Sequence, residues 1–406
     1  MRNIALIVLD TVRKDIFDEE AKKLKEMADV DVDCYAASSW TVPSHASMLT
    51  GKVPSEHGVH SYSPDFAQIY RDTFLNSIPH TTYGLSTNGW ASPDFSFDIL
   101  FDEFLHFHGS HELIPGGIDI TREYNGEGSS FRYLSFFKKS RGQMLRSIAN
   151  GAWVKFNDFT QGTSIPKMGD YGVRRLRKEA KEMVNEEPYF LFINFIDAHG
   201  PHENLLRYRE NDVPNSWTST IKSTIDLNET PDKDYFKKYR ELYRSSISYL
   251  DQEVANLIEW LINDGTTVIV TSDHGEGLGH PDPVFGHKRL SQSVVNVPLL
   301  IINSPEVSDI DLYSHLDLPN LILGVIDGKT ELREFEEVVF ERIGDPDVDD
   351  QYYDKTLRGK YDGDDYTVWD EVTDIDKVFD TPICEIEKEN DYTVHNQAQL
   401  EDLGYL

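Results

Sequence analysis

The clearest pattern along the chain is a set of short apolar runs separated by longer amphipathic stretches. Residues 3–9 and 189–196 are almost unbroken apolar runs, as expected for strands buried on both faces of a sheet. Residues 266–271 are β-branched throughout and predict another strand. Residues 297–302 predict a further strand, with Pro298 near its start pointing to an edge strand or to a strand's opening position. Residues 31–37 and 80–87 read as two more. Between these runs the period changes. Residues 12–28 and 170–185 predict amphipathic helices, and residues 232–263 predict the longest one. There Tyr235, Tyr239, Leu242, Ile247, Leu250, Val254, Leu257 and Leu261 recur at mostly three- and four-residue spacings and make one apolar face.

Strands alternating with helices imply an α/β fold with a large, mostly parallel central sheet flanked by helices. Residues 101–168 have weak periodicity and are expected to form an insertion over one end of that core. Residues 203–230 read as a polar loop. Past residue 345 the pattern shifts to Asp- and Tyr-rich segments with short alternation, as in Tyr366–Trp369. The expected organisation is a core over residues 1–345 and a small antiparallel C-terminal subdomain over 346–406.

Composition changes this picture in one respect. The 406 residues, 39% hydrophobic and 12% aromatic, are enough for a folded core. The 71 acidic residues against 39 Lys and Arg give a net charge of −32, spread along the whole chain. Such a surface disfavours nucleic acid and anionic membranes. It fits a protein adapted to molar salt, with an ordinary acidic cytosolic protein as the alternative. Two cysteines, Cys34 and Cys384, give neither a disulfide framework nor metal-ligand spacing. No secretory signal and no membrane span are visible, so the expected location is the cytoplasm.

The candidate chemistry lies where apolar runs end. Three of them run into Asp10, into Asp197 and His199, and into Asp273 and His274. Parallel sheets bind ligands beyond the carboxyl ends of their strands, so these groups are expected to converge in one crevice. The segment Thr41–Gly51 reads as a short helix, with Pro43 in its first turn and Gly51 as its stop. Thr41 at its N-terminus is either a helix cap or a nucleophile. Asp10, Thr41, Asp273 and His274 suit one divalent cation (Ca²⁺, Mg²⁺, Mn²⁺ or Zn²⁺), with room left open for a second ion. Metal coordination would activate the Thr41 hydroxyl. His199 suits a general acid or an oxyanion donor. His45, one helical turn after Thr41, either contacts an anionic oxygen or is solvated. His287 and Lys288, in a rare basic patch, suit a developing negative charge.

These residues resemble the sulfatase branch of the alkaline phosphatase superfamily over about residues 3–325. The segment Asp10–Asp15 resembles its N-terminal metal strand. Residues 41–51 resemble the signature Cys/Ser-x-Pro-Ser-Arg followed by Leu-Thr-Gly. Asp197–Pro201 resembles its Asp-Pro-His-x-Pro element, and Ser272–Glu276 its second metal strand. Gly286-His287-Lys288 resembles its substrate lysine. The closing Leu400–Leu406 is similar to archaeal sulfatase-like proteins. Three positions depart from the pattern. Thr41 replaces the Cys or Ser that becomes formylglycine, and threonine cannot give that aldehyde. His45 replaces the signature Arg. Thr11 replaces the second Asp of a metal-binding pair, leaving it a weak ligand at most.

The resemblance implies a metal-dependent hydrolase of sulfate or phosphate (di)esters on a small-molecule or glycan substrate. Two alternatives stand beside it. One is a transferase moving a phosphoglycerol- or phosphoethanolamine-type head group onto a glycan. The other is a non-catalytic binder of an anionic glycan or a metal. The sequence leaves oligomeric state unknown.

Overall fold

A computed structural model of the chain describes residues 1–107, 144–160, 162–208, 211–219, 233–279, 285–304, 310–329, 332–345 and 354–372. The first strand, β1 (Ile4–Leu9), is buried along its whole length. Its alternate side chains feed two separate cores. Ile4, Leu6 and Val8 pack on one face of the sheet, and Ala5, Ile7 and Leu9 on the other. This two-sided burial is why the run shows no polar alternation.

The remaining strands of the main sheet are β2 (Val30–Tyr35), β3 (Thr81–Ser86), β4 (Glu103–His106), β5 (Tyr189–Phe195), β6 (Thr267–Thr271), β9 (Asn296–Ile302) and β10 (Leu312–Ser314). A two-stranded ribbon, β7 (Gly277–Leu278) with β8 (Phe285–Gly286), lies between β6 and β9 in the chain. The spatial order is β10-β2-β9-β6-β1-β5-β3-β4. All neighbours are parallel except β9, which runs antiparallel to both β2 and β6. A second sheet of three antiparallel strands, β11 (Val338–Ile343), β12 (Lys355–Tyr361) and β13 (Tyr366–Val372), follows toward the C-terminus. The expected fold class, a mostly parallel sheet with helices and a small antiparallel C-terminal unit, is what the structure has.

One face of the main sheet carries the helices Thr41–Thr50 and Leu318–Ile326. The other carries Lys233–Asn263, Val173–Met183 and two short helices, Lys14–Glu20 and Lys22–Met27. The apolar stripe predicted for the long helix is the buried one: Tyr239, Leu242, Ile247, Leu250, Val254, Leu257 and Leu261 all face the core. Burying side chains of this size stabilises by roughly 1.5–3 kcal/mol each.

Two expectations need correction, and one open alternative, at Pro298, is decided. The single helix over 12–28 is two, broken at Ala21 without Pro or Gly. The cause is tertiary: the Asp251 carboxylate of the long helix accepts the N–H groups of Lys23 and Leu24 (3.2 and 2.8 Å) and so caps a new helix start. Pro298 does not mark an edge, because β9 is an interior strand. It sits at that strand's opening instead. It lies opposite Asp33 of β2, while pairing with β6 begins only at Leu299, and the Pro298 carbonyl accepts from the Thr271 hydroxyl (2.7 Å). Finally, β4 pairs with β3 in the sheet although it lies in the stretch expected as an insertion. Residues 108–143 of that stretch lie outside the described residues, as do Cys384 and the 400–406 segment; Cys34 is buried.

Buried histidines give the fold a pH signature. The His57 imidazole is buried, accepts the Val59 N–H at Nδ1 (3.0 Å) and meets Ser47 Oγ at Nε2 (3.1 Å). Burial, aided by His60, pushes its pKa from 6.5 down to about 3. An unfolded chain protonates this ring near pH 6.5 and the folded one does not. Stability is therefore present above that pH and is lost as pH falls toward 3, at up to on the order of 1 kcal/mol per pH unit for one such group. His57→Gln is expected to flatten the decline in Tm between pH 6.5 and 4.5, read by thermal unfolding across that range.

Candidate active site

The strands bring the candidate residues to one edge of the sheet. β1, β5 and β6 run parallel and end there. β9 runs the other way and so begins there, which carries the preceding 285–291 segment to the same edge. β2 also ends there, and the chain passes through residues 36–40 into the Thr41 helix.

Asp10 is fully buried, and its N–H donates to the Phe195 carbonyl (2.8 Å), the last rung of the β1–β5 ladder. Thr11 then turns the chain with φ 63°, in the left-handed region that a β-branched residue seldom occupies. Three bonds hold it there. Its N–H donates to Asp273 Oδ1 (3.1 Å), its carbonyl accepts from the Tyr243 hydroxyl (2.7 Å), and its hydroxyl donates to Asp10 Oδ1 (2.6 Å). Expected as a weak metal ligand, Thr11 is placed as a support for two candidate ligands, Asp10 and Asp273. Arg13 and Asp15 lie beyond as a bidentate pair (2.9 and 2.6 Å).

β6 delivers Asp273 and His274, both fully buried. Asp273 Oδ1 accepts the N–H groups of Thr11 and His274 (3.1 and 2.9 Å), while Oδ2 has no hydrogen-bond partner. His274 Nδ1 donates to the Gly275 carbonyl (2.8 Å), which leaves Nε2 with its lone pair, also without a partner. That tautomer is the one a metal needs. One ligand atom from each of Asp10, Asp273 and His274 falls within 4.8 Å of the others. Burial and the Asp10 charge push the Asp273 carboxyl well above the ordinary range. Burial acts upward on Asp10 as well, but His199, His274 and the Thr11 hydroxyl outweigh it and its pKa is lowered. Two facing carboxylates and two orphaned buried atoms fit a divalent cation.

Thr41 is the first residue of its helix and is fully buried; Trp40 is the capping residue, with no side-chain cap bond. The Thr41 hydroxyl is therefore not used as a cap. It accepts from Asn88 Nδ2 (3.3 Å) and lies beside Asp273, where it offsets part of that carboxyl's rise. Ser44 ties the helix to β6 by donating to the Asp273 carbonyl (2.6 Å). Gly51 closes the helix at φ 71°, where a Cβ would meet the Leu316 carbonyl oxygen at 2.8 Å.

His45 is fully buried, so the solvated alternative is excluded. Its Nδ1 donates to the Thr41 carbonyl (2.8 Å) and its Nε2 accepts from Asn194 Nδ2 (3.2 Å). Phe97 and Phe192 meet its ring edge-on, and burial pushes its pKa down to about 4. Both nitrogens are taken, which places it behind Thr41 as a neutral brace rather than on a substrate oxygen.

His199 joins the site; its Nδ1 donates to the Gly200 carbonyl (2.6 Å) and its ring lies 5.6 Å from His287. Asp197 does not join. Its Oδ1 accepts the Tyr171 N–H (3.0 Å), and burial together with Asp170 pushes its carboxyl well up. It supports the start of the Val173–Met183 helix instead. The His287 ring is 4.6 Å from His274, and its Nδ1 is 3.5 Å from Glu276 Oε2. Burial, then His199, push His287 down to about 3, and burial pushes Glu276 up to about 7. Lys288 lies at the rim, its side chain 47% exposed, with Nζ 3.6 Å from Asp345.

The sequence reading missed Asn88. Its Oδ1 accepts the Trp90 N–H (2.7 Å), which aims Nδ2 at Asp10 Oδ2 and Thr41 Oγ1. The signal was available: Asn88 follows a strand just as Asp10 and Asp273 do. Asn88→Ala is expected to lower kcat by about 10- to 100-fold with little change in KM, since one oriented donor is lost. Steady-state kinetics check this.

A sequence model of the sulfatase family matches residues 2–328. An arylsulfatase of Clostridium perfringens is 23% identical over 319 residues, which are 68% of this chain and 63% of that enzyme. The chain thus spans under two thirds of that relative's length. The phosphonate monoester hydrolase of Silicibacter pomeroyi shares the fold at TM-score 0.59, with 13% identity over 92% of this chain and 89% of that one. A structure solved in complex with its substrate D-glucosamine-2-N,6-O-disulfate shares it at TM-score 0.54, with 12% identity over 93% and 92%. Among the described residues no helix is long and apolar enough to cross a membrane. With the metal-ligand strands, the Thr41 helix and the His287 loop arranged as above, the match over residues 2–328 shows that the chain belongs to the sulfatase family.

Proposed function

We propose that the chain is a metal-dependent ester hydrolase in which Thr41 attacks phosphorus or sulfur. The observation that carries this reading is the position of the Thr41 hydroxyl. It is buried, held by Asn88, and set beside the Asp10–Asp273–His274 ligand set. A helix cap needs none of these. Asp10, Asp273 and His274, with Thr41 as a further oxygen, would hold a divalent cation, whose positive charge would lower the hydroxyl's pKa.

Thr41 Oγ1, its proton already lost to solvent from the acidified hydroxyl, bonds to the central atom as the bond to the leaving ester oxygen breaks. His199, protonated at Nε2, gives a proton to that oxygen. His287 and Lys288 contact the remaining oxygens. Threonine carries one oxygen and cannot form an aldehyde hydrate, so water must attack the central atom, giving a proton back to His199 Nε2 as the bond to Thr41 Oγ1 breaks. We favour a phosphodiester or phosphonate-type ester, in line with the activity of the Silicibacter pomeroyi enzyme, on a small-molecule or glycan substrate.

The test is a substrate panel. An aryl sulfate, an aryl phosphate monoester and an aryl phosphodiester are assayed in molar salt with Mn²⁺, Zn²⁺, Mg²⁺ or Ca²⁺. Turnover of the phosphorus esters, abolished by chelation, is expected. Turnover of the aryl sulfate alone overturns the substrate class.

A further inference from the structure

We propose that Arg342 is a positioning residue of this site, clamping the segment before Thr41 to the loop that carries His287. The inference rests on the reading of Thr41 as the nucleophile. It makes the C-terminal sheet part of the catalytic apparatus rather than an appendage.

Arg342 lies on β11 and is 3% exposed. One nitrogen, Nη1, donates to Ser39 Oγ (3.0 Å) and to the His287 carbonyl (3.4 Å). The other, Nη2, donates to Asp345 Oδ2 (3.0 Å). Ser39 stands two residues before Thr41. The adjacent Glu341 N–H donates to the Ala37 carbonyl (2.8 Å), so the strand and the side chain grip the same lead-in. The guanidinium also lies 6.0 Å from the ring of Trp40, the residue capping the nucleophile's helix. Asp345 is fully buried, and its other oxygen, Oδ1, meets Lys288 Nζ at 3.6 Å.

One planar cation therefore touches both walls of the site and orients the carboxylate that receives Lys288. A fork with donors at fixed angles can span three partners; a lysine ammonium on a flexible stem cannot hold all three in register. Small displacements of a nucleophile cost rate more than affinity. A charge pair that only stabilised the fold would affect melting and leave the kinetics of the folded enzyme alone.

The experiment compares the wild-type chain, Arg342→Lys, and the double variant Arg342→Met/Asp345→Asn, which leaves no unpaired buried carboxylate. Tm, kcat and KM are measured on the ester turned over best, together with amide hydrogen exchange. For Arg342→Lys we expect kcat at least tenfold lower, KM within twofold, and faster exchange in residues 36–41 and 285–289. If that variant does not fold, the double variant is read against the same expectations. A folded variant with kcat within twofold of wild type and unchanged exchange overturns the proposal, as does a loss of activity that only tracks the unfolded fraction. If the wild type turns over no ester, the nucleophile reading fails on its own. The exchange rates still decide the clamp: faster exchange in both segments supports it and unchanged exchange overturns it.

Discussion

Thr41→Ala is expected to lower kcat by at least about 10⁴-fold on any ester the wild type hydrolyses, the scale of loss seen when a covalent nucleophile is removed. The fold should survive. Thr41 is small, and the helix keeps its Ser44 anchor to the Asp273 carbonyl and its Gly51 stop. Asp10, Asp273 and His274, two carboxylates and a neutral imidazole, also remain, so divalent-metal affinity should fall by about tenfold or less, the share of one weak neutral ligand. Thr41→Ser keeps an oxygen in the same place and should retain part of the rate. A rapid acid quench of the wild type during turnover should trap an ester on Thr41, seen by peptide mass spectrometry. Undiminished turnover in Thr41→Ala would sink the nucleophile assignment.

Asp273→Asn should act in opposite directions with and without metal. In metal-free protein burial, and then repulsion by the Asp10 carboxylate, pushes the Asp273 carboxyl up. A group with a raised folded-state pKa contributes least once pH exceeds that value, so the metal-free wild type is handicapped at neutral pH. Asparagine keeps the acceptor that Thr11 and His274 use and puts an N–H₂ where Asp273 Oδ2 has no partner. The metal-free variant should therefore melt at or above the metal-free wild type. Adding cation at about 100 times its Kd should stabilise the wild type by about 2.7 kcal/mol, several degrees in Tm, and the variant far less. Activity in the variant should be lost. Calorimetric titration and melting curves with and without metal check the crossover. A variant that gains as much from metal as the wild type would remove Asp273 from the ligand set.

Much of the site was readable residue by residue. Asp10, Asp273 and His274 stand out because separate apolar runs end on them and parallel strands bind ligands beyond their carboxyl ends. Thr41 stands out because Pro43 and Gly51 frame a short helix that begins at or just after it. Asn88 was passed over because Asn-Gly after a strand also describes an ordinary turn; only its contacts to Asp10 and Thr41 separate the two. Asp197 was grouped with the site because it shares a strand end with His199, yet its carboxylate supports a helix start on the other side.

Local pattern was enough to set the strand cores, the long helix and the order of the candidate site residues, because burial on two faces and helical period leave marks in each stretch. Tertiary structure decided which of those groups meet. The antiparallel course of β9 brings the His287 loop to the site. The Asp251 carboxylate breaks a helix that its own residues would continue. His45 becomes a buried brace because Asn194 and the Thr41 carbonyl take its nitrogens. Arg342 reaches Ser39, in the segment leading into Thr41, from 303 residues further along the chain. Each of these rests on a contact between residues distant in sequence, and local pattern carries no record of such a partner.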